Sequence, residues 1–411
     1  MENNTHRCRV CNNKISITVD FGSMPIANNL LNPNNDDAKN EYKFHMQTAI
    51  CNACSCFQVV SVPDKNLMFN SSYAYFASQS KSMTLHFNKL GDSIIKNFIK
   101  DKTDYILDIG SNDGIFLKNF SDKGIGHLGV DASENVVSES RSNGVDAICG
   151  FFNKELCKSI IEKRGKAKVI ISTNTMHHIE KCHEVLEGMD LLLKDEGIII
   201  IEDPYLPDML SLGSFEQIYA EHNFIWCCKS YQTLFEKYSF YLNRVEHFSI
   251  HGGSMRYFFS RNNIQEDSAN KYLGLEKKLK ISEDSIYLNF KNKSENICNN
   301  LKKFLIEKKR EGKSVCGYGA TAKSATLLNF AGIGTSLIDC IYDSTPAKIG
   351  KLTPGTHIPI KDASTFHTEK FDYTIIFAWN LMGEIINKEK NNGAKTVWVE
   401  YVPEIKLTDA N

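Results

Sequence analysis

The sequence has almost no net charge, no long apolar run and no apolar leader, and each shortage removes a class of protein. Its 48 Lys and Arg stand against 49 Asp and Glu, a formal charge of −1 at pH 7. That balance gives no field to collect nucleic acid or an anionic membrane surface. No uninterrupted apolar stretch approaches the roughly 20 residues that a membrane helix needs. MENNTHRCRV at the start lacks the apolar core of a signal peptide. The 13 cysteines are odd in number and scattered, the usage of a cytoplasmic enzyme with mostly reduced thiols. At 411 residues, 42% hydrophobic and 24% charged, the chain reads as a soluble globular protein of two or three domains.

What is there begins with CRVC at Cys8–Cys11 and CNAC at Cys51–Cys54. Each Cys-x-x-Cys knuckle turns two sulfurs to one spot, and two knuckles set four thiolates tetrahedrally around Zn²⁺. Four protein ligands leave no open position, so Cys8, Cys11, Cys51 and Cys54 read as a structural site, with Cys56 to spare. A redox pair wants a βαβ context that neither knuckle has. A nucleic-acid zinc ribbon wants a basic patch, and this segment has none. The Pro/Asn-rich stretch around 25–40 becomes a loop that the metal staples together.

YILDIGSNDGIFLKNF, Tyr105 to Phe120, reads as an apolar strand, a glycine turn and a helix bearing Ile115, Phe116 and Phe120. It opens a doubly wound sheet, whose ligands sit at the carboxyl ends of the strands. A dinucleotide site needs G-x-G-x-x-G there, whereas Asp108 and Asp113 put carboxylates where a pyrophosphate would lie. The same acids, with Gly110 and Asn112 in the turn, suit a ligand with an ammonium and a sulfonium: S-adenosylmethionine. LGVDAS ends a second strand in Asp131, placed for ribose hydroxyls. VDAICGFF leads to Phe151 and Phe152, of which Phe152 is assigned to the adenine. KVIISTNTMHHI ends the next strand at Asn174, facing the methyl donor, with His177 and His178 behind it. A Rossmann-like fold that merely has acidic loops is the plainer alternative.

Downstream, IYAEHNF places Tyr219, Glu221 and His222 between Ile218 and Phe224. HGGSMR, His251 to Arg256, reads as a loop before a late strand, its glycines allowing close backbone approach and His251 reaching ligand. Residues 261–312 are rich in Lys, Glu and Asn with helical spacing of Leu, Ile and Phe, a connector of one or two helices with a solvated face. KSVCGYGATAKSATLLNFAG then repeats the strand, glycine loop and helix. Here Gly317-x-Gly319 comes with Lys323 and no acid, which suits a diphosphate at a helix N-terminus. Asp343 keeps an NAD site in play, although Ala322 stands where the third glycine belongs; a bare scaffold is the other alternative.

In combination these motifs, with SSYAYFASQS, PGTHIPI and AWN, resemble the nucleotide-sugar C-methyltransferases of branched deoxysugar biosynthesis, and the likeness runs from Cys8 to about Pro403. The resemblance implies an α/β chain in three parts. They are a small zinc-binding domain (1–70), a Rossmann-like class I methyltransferase domain (71–262), and a helical connector with a Rossmann-like substrate domain (263–411). It places the family's active-site residues on Tyr75, His178, Tyr219, Glu221 and His222. After His222 the family continues with an aromatic pair and Ser, where this chain has Asn223, Phe224 and Ile225.

The implied chemistry explains IYAEHNF. Carbon accepts a methyl group only when made nucleophilic, and the carbonyl of a nucleotide-linked 4-keto sugar acidifies its neighbouring C–H. Histidine is the side chain whose ordinary pKa suits that proton removal, so His222 is expected as base. Tyr219, Tyr75 and His178 are expected to donate to the enolate oxygen, and Glu221 to orient the imidazole or hold a sugar hydroxyl. Gly319, Lys323 and His251 are expected to bind a nucleotide-diphosphate 4-ketosugar, dTDP-linked and methylated at C-3 in preference to C-5. The remaining alternatives are O- or N-methylation on the same scaffold and a protein that binds or oxidises nucleotide sugars without methylating them. The partners expected are S-adenosylmethionine, structural Zn²⁺ and that substrate, with no nucleic acid or membrane, in a monomer or weak homo-oligomer.

Overall fold

The computed structural model describes residues 6–34, 36–68, 77–79 and 81–409, arranged on three sheets. The first is antiparallel, in the order Ser16–Pro25, Lys43–Ile50, Phe57–Val59 and, at its far edge, the two-residue strand Phe224–Ile225. That last strand directly follows Glu221 and His222 in the chain. The knuckle-bearing region therefore grips the segment that carries the expected base.

The second sheet has seven strands, in the order Tyr241–Phe248, Ser254–Ser260, Leu193–Pro204, Ala167–Thr173, Tyr105–Ile109, Gly126–Asp131 and Ala147–Cys149. The last five run parallel, and Ser254–Ser260 is antiparallel to both of its neighbours. Strand order reverses at Tyr105–Ile109, so the crevice for a ligand opens between its carboxyl end and that of Ala167–Thr173. Parallel strands covered on both faces read as continuous apolar runs. Ile106, Leu107, Val169, Ile170, Ile171, Ile199 and Ile200 are accordingly all buried.

The third sheet orders Ile360–Asp362, Ile341–Asp343, Val315–Tyr318, Tyr373–Ile376 and Val397–Glu400 in parallel, with Lys406–Asp409 antiparallel at the edge. Two helices connect it to the second sheet, Asp267–Lys278 and Asp284–Arg310. The longer has 27 residues, about 40 Å at 1.5 Å per residue. Its buried stripe of Tyr287, Phe290, Ile297, Leu301 and Leu305 packs on Ser16–Pro25 and on the helix Ala322–Ala331. One connector thus holds the first and third sheets in place around the second.

The helix expected after DIGSNDG is a single turn, Lys118–Ser121. Gly114 has φ +81°, and a Cβ there would lie 2.5 Å from Ser140 Oγ. A residue held left-handed cannot sit inside a right-handed helix, so the chain passes through turns before Lys118. Among the described residues no helix is long and apolar enough to cross a membrane.

Candidate active site and metal centre

The knuckles close as their spacing predicts. Cys8, Cys11, Cys51 and Cys54 bring their sulfurs within 4.8 Å of one another, with Cys8–Cys54 at 3.6 Å and Cys11–Cys51 at 3.4 Å. Tetrahedral Zn²⁺ with bonds of about 2.3 Å wants sulfurs about 3.8 Å apart. The Val10 N–H donates to Cys8 Sγ (3.4 Å) and the Asn13 amide to Cys11 Sγ (3.3 Å), contacts that suit thiolates. Hydrogen bonds from Cys51 and Cys54 pull the Cys8 thiol down, while Cys51 and Cys56 push Cys54 up. Crowded thiols that oppose one another's ionisation are what a dication relieves. The residues fit zinc.

At the switch point the acidic loop is held open by unusual backbone. Asn112 (φ +49°) and Asn174 (φ +52°) both adopt the left-handed region that Asn tolerates. Gly110 (φ +76°) is required, because a Cβ there would lie 2.1 Å from Thr175 Oγ1. Asp131 accepts the N–H of Asn112 (3.0 Å) and of Ser133 (2.9 Å). Asn112 Oδ1 and Asp113 Oδ2 accept the N–H groups of Ala77 and Ser78, each at 3.0 Å. Asp108 Oδ1 and Asp113 Oδ1 are buried with no hydrogen-bond partner. Burial pushes the Asp108 carboxyl well up, and the Asp131 charge adds to it; burial raises Asp131 as well. Two unpartnered carboxylate oxygens at a strand end fit a cationic ligand. Phe152 does not join them: it packs in the core, where a Cβ on Gly188 would meet its ring at 2.8 Å. Phe151 is the exposed ring of the pair, with Lys65 Nζ 3.8 Å from its centroid.

Next to this crevice three imidazoles converge. His177 and His178 rings lie 4.2 Å apart, His177 and His222 4.3 Å, and Tyr219 stacks over His222 at 3.7 Å between centroids. His222 Nδ1 lies 2.6 Å from the Gln217 carbonyl oxygen. A carbonyl only accepts, so Nδ1 carries the hydrogen and Nε2 the lone pair. His177 Nδ1 lies 2.6 Å from Asp203, whose other oxygen accepts from Tyr231 and whose carboxyl burial pushes well up. Burial holds His177 down at about 3 and pushes His178 and His222 well below the usual imidazole value, with neighbouring histidines adding to the shift in both. The shift favours the neutral form of all three. Glu221 does not orient the His222 ring. It accepts from the Asn28 N–H (3.3 Å) and side-chain amide (2.9 Å), and its Oε2 is buried and unpartnered.

The segment is anchored from all three sheets. The Val59 N–H donates to Asn223 O (2.9 Å), the Asn223 amide donates to the His178 carbonyl, and Thr326 Oγ1 donates to Ile218 O (2.9 Å). Lys323 is half-buried over the Trp379 ring (4.7 Å), and Trp379 Nε1 donates to Glu216 (2.8 Å). Burial pushes Lys323 down, opposed by the Glu216 charge, and Lys323 in turn depresses His222. Gly319 (φ +90°) precedes its helix, Ala322–Ala331. His251 sits in the turn Ile250–Gly252 with its side chain outside the described atoms, and Tyr75 lies outside the described residues. Gly252 and Gly253 do allow close approach, since Cβ atoms there would meet Trp379 at 2.4 Å and Asp208 at 2.1 Å.

Sequence reasoning assigned no role to Asp203, Gln217, Asn28, Glu216 or Trp379. Two had a signal: Asp203, at the carboxyl end of the strand beside the one that ends in NTMHHI, and Trp379, in the AWN motif. The others reach the site through tertiary contacts.

Comparison with known proteins gives the family. Family models match residues 8–69 as a zinc binding domain, 84–250 as a methyltransferase domain and 249–403 as a C-methyltransferase C-terminal domain. C-methyltransferase NovU of Streptomyces niveus is 31% identical over 410 residues, covering 98% of this chain and 97% of NovU. Solved structures similar over part of the chain include PH0226 of Pyrococcus horikoshii, 16% identical over 49% of this chain and 100% of that one, TM-score 0.37. Another is the magnesium protoporphyrin IX methyltransferase of Synechocystis with bound SAH, 13% identical over 44% and 83%, TM-score 0.34. The protein is an S-adenosylmethionine-dependent methyltransferase with a zinc-binding N-terminal domain. More particularly, the chain belongs to the C-methyltransferase family that includes NovU.

Proposed function

We propose that this enzyme methylates the carbon beside the carbonyl of a nucleotide-linked 4-keto-deoxysugar, dTDP-linked and at C-3 in preference to C-5, with His222 as the base. The hydrogen bond from His222 Nδ1 to the Gln217 carbonyl carries the proposal. It fixes the tautomer that leaves the lone pair on Nε2; burial, which holds this imidazole below its usual range, weakens it as a base. Nε2 takes the α-proton, and the electron pair moves onto the carbonyl oxygen as an enolate. Tyr219, His178 and Tyr75 are the donors assigned to that oxygen, and Glu221 Oε2 is left to accept from a sugar hydroxyl.

S-adenosylmethionine supplies an electrophilic methyl group. Asp108, Asp113, Gly110, Asn112 and Asn174 would hold its charged end, and Asp131 its ribose. Lys323, Gly319 and His251 are assigned to the nucleotide diphosphate. The division of labour is zinc in 1–70, methyl donor in 71–262 and substrate in 263–411. The hydrogen bonds from Thr326 to the Ile218 carbonyl and from Trp379 to Glu216, which tie the third region to the segment carrying His222, support a sugar held between the second and third sheets.

The test is proton exchange. In D₂O without methyl donor, native enzyme is expected to wash deuterium into the α-carbon of a nucleotide 4-ketosugar, and His222→Asn to lose exchange and turnover by about 10²–10⁴. Normal exchange in that variant would remove His222 as base and leave His178.

A further inference from the structure

We propose that His177, His178 and His222 form a second metal site, which takes a divalent transition-metal cation and silences the base when filled. Each offers a nitrogen within 4.8 Å of the other two. Tetrahedral coordination at 2.0–2.1 Å wants nitrogens about 3.4 Å apart, so metal binding draws the three rings closer together.

The partners behind the rings are those that metal-ligating histidines keep. His177 Nδ1 lies 2.6 Å from the Asp203 carboxyl, itself held by Tyr231, and His222 Nδ1 donates to the Gln217 carbonyl (2.6 Å). The Gln217 bond fixes the tautomer that leaves the His222 lone pair on Nε2, so this ligand binds without releasing a proton. Asp203 adds a carboxyl behind His177, buried at the end of the strand Leu193–Pro204. A set of imidazoles selects Zn²⁺, Ni²⁺, Co²⁺ or Cu²⁺ over Mg²⁺ or Ca²⁺. Three protein ligands also leave a fourth position open, unlike the closed cysteine site. Simple ring stacking accounts for the contacts between the imidazoles but not for the oriented polar groups behind two of them.

A cation on His222 Nε2 occupies the lone pair that would take the α-proton. This consequence rests on the proposed role of His222; the binding does not.

The experiment uses full-length enzyme with its cysteine site filled by zinc, equilibrated with Co²⁺ or Zn²⁺ and counted for metal per chain. A second equivalent is expected, removable by a mild chelator, with weak visible cobalt bands and no thiolate-to-cobalt charge transfer. Turnover is expected to fall by about 10²-fold as it fills and to return on chelation. His177→Ala should lose the second equivalent and keep the first; if it does not fold, His178→Ala and the native cobalt spectrum decide. The site is overturned by one equivalent only in native enzyme, by thiolate charge transfer from the second cobalt, or by a second equivalent that survives in both variants. A second cation that binds to these histidines and leaves turnover unchanged supports the site and overturns both the silencing and the base role of His222.

Discussion

The second and third sheets open with the same device and put opposite charges on it. In each, a carboxylate at the end of the second strand accepts an N–H from the glycine loop and another from two residues further on. Asp131 takes them from Asn112 and Ser133, Asp343 from Ala320 and Thr345 at 2.8 Å each. Asp343 is also paired with Lys348 (3.2 Å), whose ammonium donates to the Ala320 carbonyl (2.9 Å). Among the described residues no Lys or Arg forms an ion pair with Asp131, Asp108 or Asp113. One loop is charge-balanced internally, and the other waits for a cation from outside. The strand-end carboxylate is thus a brace for the loop in both sheets, and ligand choice lies in the charges around it.

Breaking the unbalanced loop is expected to have the largest effect on ligand binding. Asp108→Ala should weaken S-adenosylmethionine by about 10–10²-fold, the scale of a lost charged hydrogen bond. Nucleotide-sugar affinity should be unaffected; calorimetry finding the donor equally well bound would remove Asp108 from the site. The charge on the other loop is tested by Lys323→Ala, which should raise KM for the nucleotide sugar about tenfold, roughly 1.4 kcal/mol. Turnover at saturation should change less, the pattern of uniform binding to a non-reacting group. A variant with unchanged KM and collapsed turnover would instead place Lys323 at the reacting carbon, beside His222. The smallest effect on ligands is expected from Asp343→Asn. Since Lys348 and two N–H groups already satisfy it, donor affinity should not move, while denaturant unfolding shows a loss of about 1–3 kcal/mol. If that variant loses donor binding, the two loops are not the separate devices described.

Local residues made much of this legible. The knuckles, the acidic loop and the strand ends at Asp131 and Asn174 are local patterns, and folding leaves local patterns in place. The length of the helix after DIGSNDG was not legible. Its late start follows the left-handed Gly114, which packs where a Cβ would meet Ser140, a tertiary contact. Phe151 and Phe152 are alike in sequence, and only packing against the helix Cys182–Leu192 decides which is core. In the same way the partner of His222 is Gln217 rather than the adjacent Glu221. The turn folds the chain back on its own carbonyl and sends Glu221 to Asn28.

By itself the sequence determined three things: a four-thiol metal centre, a sheet whose first loop is acidic, and a second sheet whose first loop is basic. Those follow from spacing and charge, which are properties of neighbours in the chain. Tertiary structure alone decided that Phe224–Ile225 joins the first sheet and that Thr326 and Trp379 of the third region hold Ile218 and Glu216. It also turned His177 onto Asp203 so that three imidazoles meet. The physical reason is that a buried polar group must find its partner wherever the packed chain brings one, and for this segment the partners lie in three separate parts of the molecule.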